Sequence, residues 1–317
     1  MEERENEWVN PGVILVATDL SDLDRLMPFA MEQAKENNAR LLLLHVLNAG
    51  GSLSADPAGM PYYDTTGAID FAQKTLEPWR TLARQHQVAC DILVREGIPA
   101  QQIAASVRQF QIGRILLGTR SRNKVRRLFL GSVAEQVLRS VNLPVITVGP
   151  EAHLEVENSD SEKVVLHATT LRETSRPSAV LACRIAAQQH AKLVMLHVQP
   201  QEDAAHAGSN QSTIEDAARH EIQRLAEQCG AFGTDRPTKV EICVVHGNPS
   251  IEILATAAQL HASLILLGAT HRSVLQNLTR DRTIYRVLAH ARCPVLTIRE
   301  PASVSVSSEH EVLASHQ

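Results

Sequence analysis

Short runs of aliphatic residues alternate along the chain with longer stretches in which apolar residues recur every three or four positions. In the first half, the continuous apolar runs predict strands at Val13–Ala17, Arg40–Leu47, Ala89–Arg95, Arg114–Thr119 and Val145–Val148. The amphipathic stretches between them predict helices near Leu23–Asn37, Ala68–Gln87, Pro99–Phe110 and Ser132–Ser140. Strands without polar alternation are typical of parallel sheets that are covered on both faces. The pattern therefore predicts right-handed βαβ units in a doubly wound α/β domain.

The same unit occurs twice in the chain. Three strand-like segments recur at offsets of 152, 150 and 150 residues: Leu41–Val46 as Leu193–Val198, Ile115–Thr119 as Ile265–Ala269, and Leu143–Val148 as Cys293–Ile298. A repeat of this length is a duplicated domain, because solenoid units are only about 20–50 residues long. We therefore expect two α/β domains, at residues 1–150 and 163–300. The acidic segment 151–162 would link them, and residues 301–317 would form a flexible tail.

Turn-forming residues mark the connections within each half. Asn48–Gly67 and its polar counterpart Gln199–Ser212 follow the second strand and are predicted to be loops. Pro99 and Pro249 each follow a turn that contains glycine. Both suit the first position of a helix, where the missing N–H of proline costs nothing.

Composition excludes several classes of function. Aromatic residues make up only 3% of the chain, so the base-stacking platforms of single-strand-binding proteins are not expected. The charge is nearly balanced, with 31 basic and 35 acidic residues, which argues against a nucleic-acid partner. No apolar stretch approaches the roughly 20 residues of a membrane span, and the start of the chain does not resemble a signal peptide. The scattered cysteines predict reduced thiols in a cytoplasmic protein.

Candidate ligand-binding residues follow two strands of the first half. In open parallel sheets, ligands bind beyond the carboxyl ends of the strands. Asp19 follows the first strand and could accept hydrogen bonds from a ribose. Gly118 ends the fourth strand, and Gly131 and Ser132 then open a helix. Glycines let a phosphate approach the backbone, and a helix N-terminus offers free N–H groups, so these residues together predict a nucleotide pocket.

Each of these features also has an explanation that involves no ligand. Ser132 and Glu135 have the spacing of a capping box, which only starts a helix. Asp19 could be a helix N-cap, and Gly118 could be a turn residue. The loop between Gly118 and Gly131 carries basic residues that either form a solvated surface or steer a polyphosphate towards the pocket. They are Arg120, Arg122, Lys124, Arg126 and Arg127.

The spacing Gly118-x2-Ser121-x9-Gly131-Ser132 resembles the Gly-x2-Gly-x9-Gly-(Ser/Thr) signature of universal stress proteins. The first strand that leads to Asp19, the Leu-His-Val segment that ends at Val46 and the closing Leu-Pro-Val-Ile-Thr-Val segment also fit that family. Since the resemblance extends over both repeats, the chain is similar to a tandem universal stress protein. It implies a five-stranded parallel sheet of order 3-2-1-4-5 in each domain, and ATP, with Mg²⁺, as the ligand of the first domain.

The resemblance also assigns roles to individual residues. Asp19 and the backbone of Val46 would contact the ribose and the adenine, while Gly118, Gly131 and Ser132 would hold the phosphates. Ser121 stands where the family has its middle glycine. If that position needs a positive φ, the serine costs on the order of 1 kcal/mol. The family commonly pairs domains through their last strands, which implies an internal pseudo-dimer, and a homodimer is also conceivable.

The second half departs from the family pattern at most of these positions. Thr170 stands in the place of Asp19, and His271 replaces the middle glycine. Asp281-Arg282 falls where Gly131-Ser132 should be, or Arg282-Thr283 does if the loop is one residue longer. Gly268 alone is retained. We therefore expect the second half to bind no nucleotide, or to bind some other ligand.

Three functions remain compatible with the sequence. The favoured one is a stress-response protein that binds ATP in its first half as a regulatory ligand, with slow hydrolysis at most. A scaffold that binds no nucleotide is the second. An ATP-cleaving enzyme is the third, although the sequence contains neither a P-loop nor a dinucleotide-binding Gly-x-Gly-x-x-Gly motif.

The histidines of the second half are candidate ligands for a metal. His167, His246 and His271 could converge at the carboxyl edge of the sheet. No close pair of ligands such as HxH or HExxH supports such a site, so we expect these histidines to pack and to form hydrogen bonds. His45 and His197 are equivalent residues near strand ends and are expected to be structural.

Overall fold

Strands and helices alternate through both halves of the computed structural model. It describes residues 8–47, 53–55, 61–63, 65–119, 130–152, 162–172, 175–199, 211–230, 238–270 and 282–300. The strands of the first half are β1 (Val13–Thr18), β2 (Arg40–Leu47), β3 (Leu53–Ala55), β4 (Pro61–Tyr63), β5 (Cys90–Glu96), β6 (Arg114–Gly118) and β7 (Val145–Val148). Its helices are α1 (Leu23–Asn37), α2 (Thr65–Gln85), α3 (Pro99–Phe110) and α4 (Ser132–Ser140).

The second half repeats this order of elements. Its strands are β8 (Val164–Ala168), β9 (Lys192–Gln199), β10 (Val240–His246), β11 (Leu264–Thr270) and β12 (Val295–Glu300). Its helices are α5 (Arg176–Gln188), α6 (Gln211–Gln228), α7 (Pro249–Gln259) and α8 (Arg282–His290). The described residues include no counterpart of the β3–β4 hairpin in this half.

One ten-stranded sheet runs through both halves, in the order β10-β9-β8-β11-β12-β7-β6-β1-β2-β5. Within each half, neighbouring strands are parallel, and the strand order is 3-2-1-4-5. The expected doubly wound fold is therefore confirmed. In both halves the first strand lies in the middle, so its carboxyl end is flanked by the ends of two other strands.

The halves meet through their last strands, as expected. Strands β7 and β12 pair antiparallel, with Thr147 opposite Val295 and Val145 opposite Thr297. The hydroxyl of Thr147 donates to the carbonyl of Val295 (3.2 Å), and the hydroxyl of Thr297 donates to the carbonyl of Val145 (3.3 Å). The two contacts are reciprocal, so the seam has the pseudo-twofold symmetry of an internal dimer. It also covers two strand edges that would otherwise be exposed.

Helices cover both faces of the sheet, which explains the unbroken apolar runs of the strands. On β1, Ile14 and Val16 pack in the cluster that contains α1, whereas Leu15 packs in the cluster that contains α3 and α4. All three side chains are fully buried. Side chains of a strand alternate between the two faces, so every position of a doubly covered strand must be apolar.

Most predicted element bounds agree with the structure, and the loop after β2 is the main exception. Asn48–Gly67 was expected to be a loop, but it contains the β3–β4 hairpin and the first residues of α2. Strands of three residues are too short to show an alternating pattern. Residues 153–161 of the expected linker and the expected tail 301–317 lie outside the described residues.

The proline positions follow the prediction. Pro99 and Pro249 begin α3 and α7. The glycines two residues earlier, Gly97 and Gly247, have φ angles of +130° and +146°. A residue with a side chain rarely adopts such values, so these turns require glycine.

Candidate functional site

Three of the residues singled out in the sequence lie at the carboxyl edge of the first-half sheet. In the β1–β2 register, Thr18 is opposite His45. In the β1–β6 register, Ala17 is opposite Leu117. Because adjacent strands are about 4.8 Å apart, Asp19, Val46 and Gly118 follow at the same edge, next to one another.

The turn after β1 is held by local hydrogen bonds. His45 donates from Nδ1 to the carbonyl of Thr18 (2.9 Å), and the amide of Leu20 donates to the Thr18 hydroxyl (2.9 Å). Leu20 has a φ of +74°, so the chain turns sharply there. Asp19 accepts from the amide (2.9 Å) and the hydroxyl (2.5 Å) of Ser21. These bonds orient the half-buried Asp19 carboxylate at the edge of the sheet.

A second carboxyl group, which the sequence did not single out, packs against Gly118. A Cβ atom at Gly118 would overlap Oδ2 of Asp22, so any side chain at this position would displace the carboxyl group. Asp22 is the buried N-cap residue of α1, and the Thr18 hydroxyl donates to it (2.7 Å). Burial raises the pKa of Asp22 to about 6, against the opposing effect of the Thr18 hydrogen bond. An acid that titrates near neutral pH therefore lies beside the glycine at the end of β6.

Gly131 and Ser132 are brought to the same edge by a backbone hydrogen bond. The amide of Gly131 donates to the carbonyl of Thr119 (2.9 Å), the residue that follows Gly118. Gly131 is the N-cap of α4, and Ser132 is its first residue and is exposed. The N-terminus of α4 is therefore anchored beside the end of β6. Ser121 and the basic loop residues from Arg120 to Arg127 lie outside the described residues.

The capping-box alternative for Ser132 is wrong. Such a box needs serine at the N-cap position, and here that position belongs to Gly131. Glu135 instead forms an ion pair with Arg139 (2.6 Å). Among the described residues no side chain caps α4, so the amides of its first turn can accept an anion.

The first-half residues fit a nucleotide. Gly131 and the N-terminus of α4, which no described side chain caps, provide N–H donors for phosphates, while the half-buried Asp19 offers an acceptor for hydroxyl groups. Val46 is half-buried at the end of β2, opposite Arg95, where its backbone can contact a base. Asp22 opposes an anion, because its ionised form adds negative charge beside Gly118.

The second half keeps the backbone frame of this edge. His197 donates from Nδ1 to the carbonyl of Thr169 (3.0 Å), and the amide of Leu171 donates to the Thr169 hydroxyl (3.2 Å). Leu171 has a φ of +58°, like its counterpart Leu20. Thr170 therefore occupies the position of Asp19. Its hydroxyl lies 3.1 Å from that of Ser175.

The helix that follows β11 settles one alignment that the sequence left open. Helices α4 and α8 end at Ser140 and His290, 150 residues apart, so Arg282 corresponds to Ser132. Asp281 then corresponds to Gly131. Both Asp281 and His271 lie outside the described residues.

A glutamate covers the retained glycine of the second half. A Cβ atom at Gly268 would overlap the carboxyl group of Glu300, which is 4% exposed. The Ser178 hydroxyl lies 2.6 Å from Glu300 Oε1 and 3.1 Å from Nε2 of His167. Burial raises the pKa of Glu300 to about 7, against the effects of Ser178 and Arg172. Burial also lowers the pKa of His167 to about 4.

Two of the three candidate histidines, His167 and His246, lie on strands that are not neighbours, and His271 lies outside the described residues. His167 is fully buried on β8, whereas His246 ends β10, two strands away. The part of the chain that the structure describes contains no group of three metal-ligating side chains. In the same part of the chain, no helix is both long and apolar enough to cross a membrane.

Two relatives of the chain carry the name universal stress protein. Universal stress protein MJ0531 of Methanocaldococcus jannaschii is 26% identical over 136 residues, which are 43% of this chain and 80% of that protein. Universal stress protein YxiE of Bacillus subtilis is 26% identical over 143 residues, covering 43% of this chain and 97% of the relative. Each of these relatives thus aligns with less than half of this chain.

A solved structure extends the likeness to both halves. The universal stress protein of Archaeoglobus fulgidus DSM 4304 covers 92% of this chain and 98% of its own, with a TM-score of 0.70 and 19% identity. At this identity the likeness concerns the fold. The model of the universal stress protein family matches residues 12–149 and again residues 162–299. The chain therefore belongs to the universal stress protein family and carries two of its domains in tandem.

Proposed function

We propose that the protein is a stress-response protein that binds ATP, with Mg²⁺, in its first half and uses it as a regulatory ligand. The residues assigned to this site are Asp19, Val46, Gly118, Ser121, Gly131 and Ser132. Asp19 and Val46 hold the ribose and the base, and the other four hold the phosphates. The proposal places the protein in the cytoplasm, where its cysteines stay reduced. The proposed domain bounds are 1–150 and 163–300.

One observation carries this proposal. The hydrogen bond from Gly131 to Thr119 anchors the uncapped N-terminus of α4 at the end of β6, at the edge where Asp19 follows β1. The N–H donors for an anion and the acceptor for a ribose are therefore on one side of the sheet. This combination suits a nucleotide better than it suits an anion or a sugar alone.

The site suits binding better than catalysis. Hydrolysis of ATP needs a group that orients or deprotonates the attacking water. The described residues at this edge offer Asp19, whose Oδ1 is engaged by Ser21, and Asp22, which is buried against Gly118. We therefore propose that ATP is held and released intact, with slow hydrolysis at most.

The second half is proposed to bind no nucleotide. Thr170 provides no carboxylate for a ribose, and Asp281-Arg282 stands in the place of Gly131-Ser132. The expected stoichiometry is therefore one ATP per chain. The second domain then serves as the partner of the first in the internal dimer.

Titration calorimetry with ATP and Mg²⁺ tests the proposal. Asp19→Ala removes a charged acceptor and is expected to weaken binding by about 10- to 100-fold. Gly131→Glu places a carboxylate at the N-terminus of α4 and is expected to abolish binding. Thr170→Ala is the matched control in the second half and should leave the affinity unchanged.

Other outcomes would overturn the proposal. Wild-type protein that gives no binding heat at any ATP concentration would favour a scaffold without a nucleotide. Equal losses in Asp19→Ala and Thr170→Ala would mean that the site lies elsewhere. ADP release that rises in proportion to protein concentration would contradict a purely regulatory role.

A further inference from the structure

The second half buries a polar network in a position where the first half has an aliphatic core. We use the term polar network for His167, Ser178 and Glu300, which are 0%, 1% and 4% exposed. It lies on the face of the sheet that α5 covers, beneath the carboxyl ends of β8 and β11. The proposed nucleotide site makes no use of it.

Equivalent turns in the two halves identify the first-half counterparts of two network residues. Helices α1 and α5 end in the same type of turn, in which Ala39 and Ala191 donate to Ala34 and Ala186. This places Leu26 at the position of Ser178. The matching turns after β1 and β8 likewise place Val16 at the position of His167. Both first-half side chains are fully buried.

The Ser178 hydroxyl is the centre of the network and has three hydrogen-bond neighbours. They are Glu300 Oε1 at 2.6 Å, the carbonyl of Ser175 at 2.9 Å and His167 Nε2 at 3.1 Å. A hydroxyl donates one hydrogen bond and accepts up to two. The serine has one proton and lies within donating distance of both the Ser175 carbonyl and Glu300 Oε1; because a carbonyl can only accept, satisfying all three contacts requires that proton to go to Ser175. All three contacts then form together only if Glu300 and His167 both donate.

The state in which all three contacts are satisfied is therefore a single protonation state. In that state Glu300 is a neutral acid. His167 then carries its proton on Nε2, which leaves Nδ1 as an acceptor. Nδ1 is buried and has no hydrogen-bond partner among the described residues. A doubly protonated ring would place a charged, unpartnered N–H in the core, which is far more costly than a bare acceptor.

We propose that the polar network is a pH-responsive latch, in which a protonated Glu300 holds the end of β12 against α5, and loss of that proton loosens the second half. The latch needs the carboxyl group to stay in place above Gly268. An ionised Glu300 would compete with the Ser175 carbonyl for the single Ser178 proton. It would also be a buried charge, and Arg172 is the one charged group that acts on it within the described chain.

The direction of the pH effect follows from the two shifted groups. Glu300 has its folded pKa raised to about 7 from 4.5, so its contribution to stability is present below about pH 4.5 and is lost as the pH rises through 7. His167 has its folded pKa lowered to about 4 from 6.5, so its contribution is present above 6.5 and is lost as the pH falls through 4. At mildly acidic pH, a rise in pH therefore lowers the stability contributed by Glu300 and raises the stability contributed by His167.

Urea denaturation of the full chain between about pH 5 and about pH 8.5 tests the latch. Glu300→Gln keeps the shape of the side chain but cannot ionise. The difference between the midpoint urea concentrations of this variant and of wild type should rise with pH up to about 7 and then stay constant. Glu96→Gln, the same change at the exposed end of β5, is the matched control and should run parallel to wild type. A Glu300→Gln curve that also runs parallel to wild type would overturn the proposal.

Infrared difference spectroscopy provides a readout that does not depend on unfolding. Wild-type protein at about pH 6 should show the C=O band of a protonated carboxylic acid that is absent from Glu300→Gln. The Asp22 carboxyl group is present in both proteins and cancels in the difference. Absence of the band from the difference spectrum would mean that Glu300 is ionised, and would overturn the proposal even if the variants differ in stability.

Discussion

The two halves share a backbone frame. They differ in the carboxyl group that covers the glycine near the carboxyl end of β6 in the first half and of β11 in the second. In the first half, Asp22 from the start of α1 covers Gly118. In the second half, Glu300 from the end of β12 covers Gly268. The two acids come from unrelated positions of the repeat. The fold therefore leaves a gap above this glycine, and either neighbouring element can fill it.

This difference shows that a retained glycine is weak evidence for a ligand site. Gly268 matches the family pattern in the sequence, yet its own chain covers it. What separates the halves is the rest of the edge. The first half has a carboxylate after β1 and an uncapped helix that starts with Gly131 and Ser132. The second half has Thr170 and an arginine at the start of the equivalent helix.

The largest change in the free energy of unfolding is expected when the residue types at the equivalent core positions, Leu26 and Ser178, are exchanged. Leu26→Ser removes a fully buried side chain and buries a hydroxyl, and should lower the free energy of unfolding by about 3–5 kcal/mol. Ser178→Leu removes the partner of Glu300 and His167 and should cost a similar amount, about 3 kcal/mol or more. Urea denaturation measures both. Ser212→Leu, at an exposed position of α6, is the control, and a Ser178→Leu variant as stable as wild type would contradict the expectation.

A pH series on Asp22→Asn should have the next largest effect and separates the two covering acids. Since the folded pKa of Asp22 is raised to about 6 from 3.8, its contribution is present below about pH 3.8 and is lost as the pH rises through 6. Between about pH 3.8 and about pH 6, the free energy of unfolding of the variant should therefore rise by on the order of 2 kcal/mol relative to that of wild type. This pH range lies about one pH unit below the range over which the contribution of Glu300 changes. A stability difference that is the same at about pH 4 and about pH 7 would refute this.

Equivalent substitutions on the two sides of the seam between β7 and β12 should lower the free energy of unfolding equally. Thr147→Val and Thr297→Val each remove one buried hydroxyl that bonds to a carbonyl across the seam. Each should lower the free energy of unfolding by about 1 kcal/mol. Thermal denaturation of the two single variants measures this. Clearly unequal losses would show that the pseudo-twofold symmetry of the contacts does not extend to their energies.

The smallest effect is expected at an ion pair that breaks the symmetry. Lys163 bonds to Glu32 (2.8 Å) and Glu36 (3.0 Å) across the two halves, whereas its first-half counterpart is Gly12. Because the lysine side chain is 42% exposed, Lys163→Met should cost about 0.5 kcal/mol or less. The loss should shrink further at high salt. A larger loss that is insensitive to salt would point to packing of the side chain.

Much of the fold could be predicted because its signals are local. Helices α1, α3 and α4 begin and end at the predicted residues, since long amphipathic stretches bounded by turn residues are easy to recognise. The β3–β4 hairpin was missed because three residues carry too little periodicity. The order of the strands and the pairing of β7 with β12 followed from the family resemblance.

The candidate site could be predicted only in part. Asp19, Gly118 and Gly131 follow strands or open a helix, so their positions depend on element order alone. Asp22 and Glu300 could not be found, because the residue that covers a glycine is decided by packing between segments far apart in the chain. The same holds for Ser178 and His167, whose contact joins a helix to a strand.

The direction of the strands at the seam separates the two functional regions of the protein. Because β7 and β12 run in opposite directions, the five strands of one half end where the five strands of the other begin. The proposed nucleotide pocket and the Glu300 latch are therefore at opposite margins of the sheet. A ligand in that pocket would therefore not contact Glu300, and a protein that contacted both sites would have to reach both margins of the sheet.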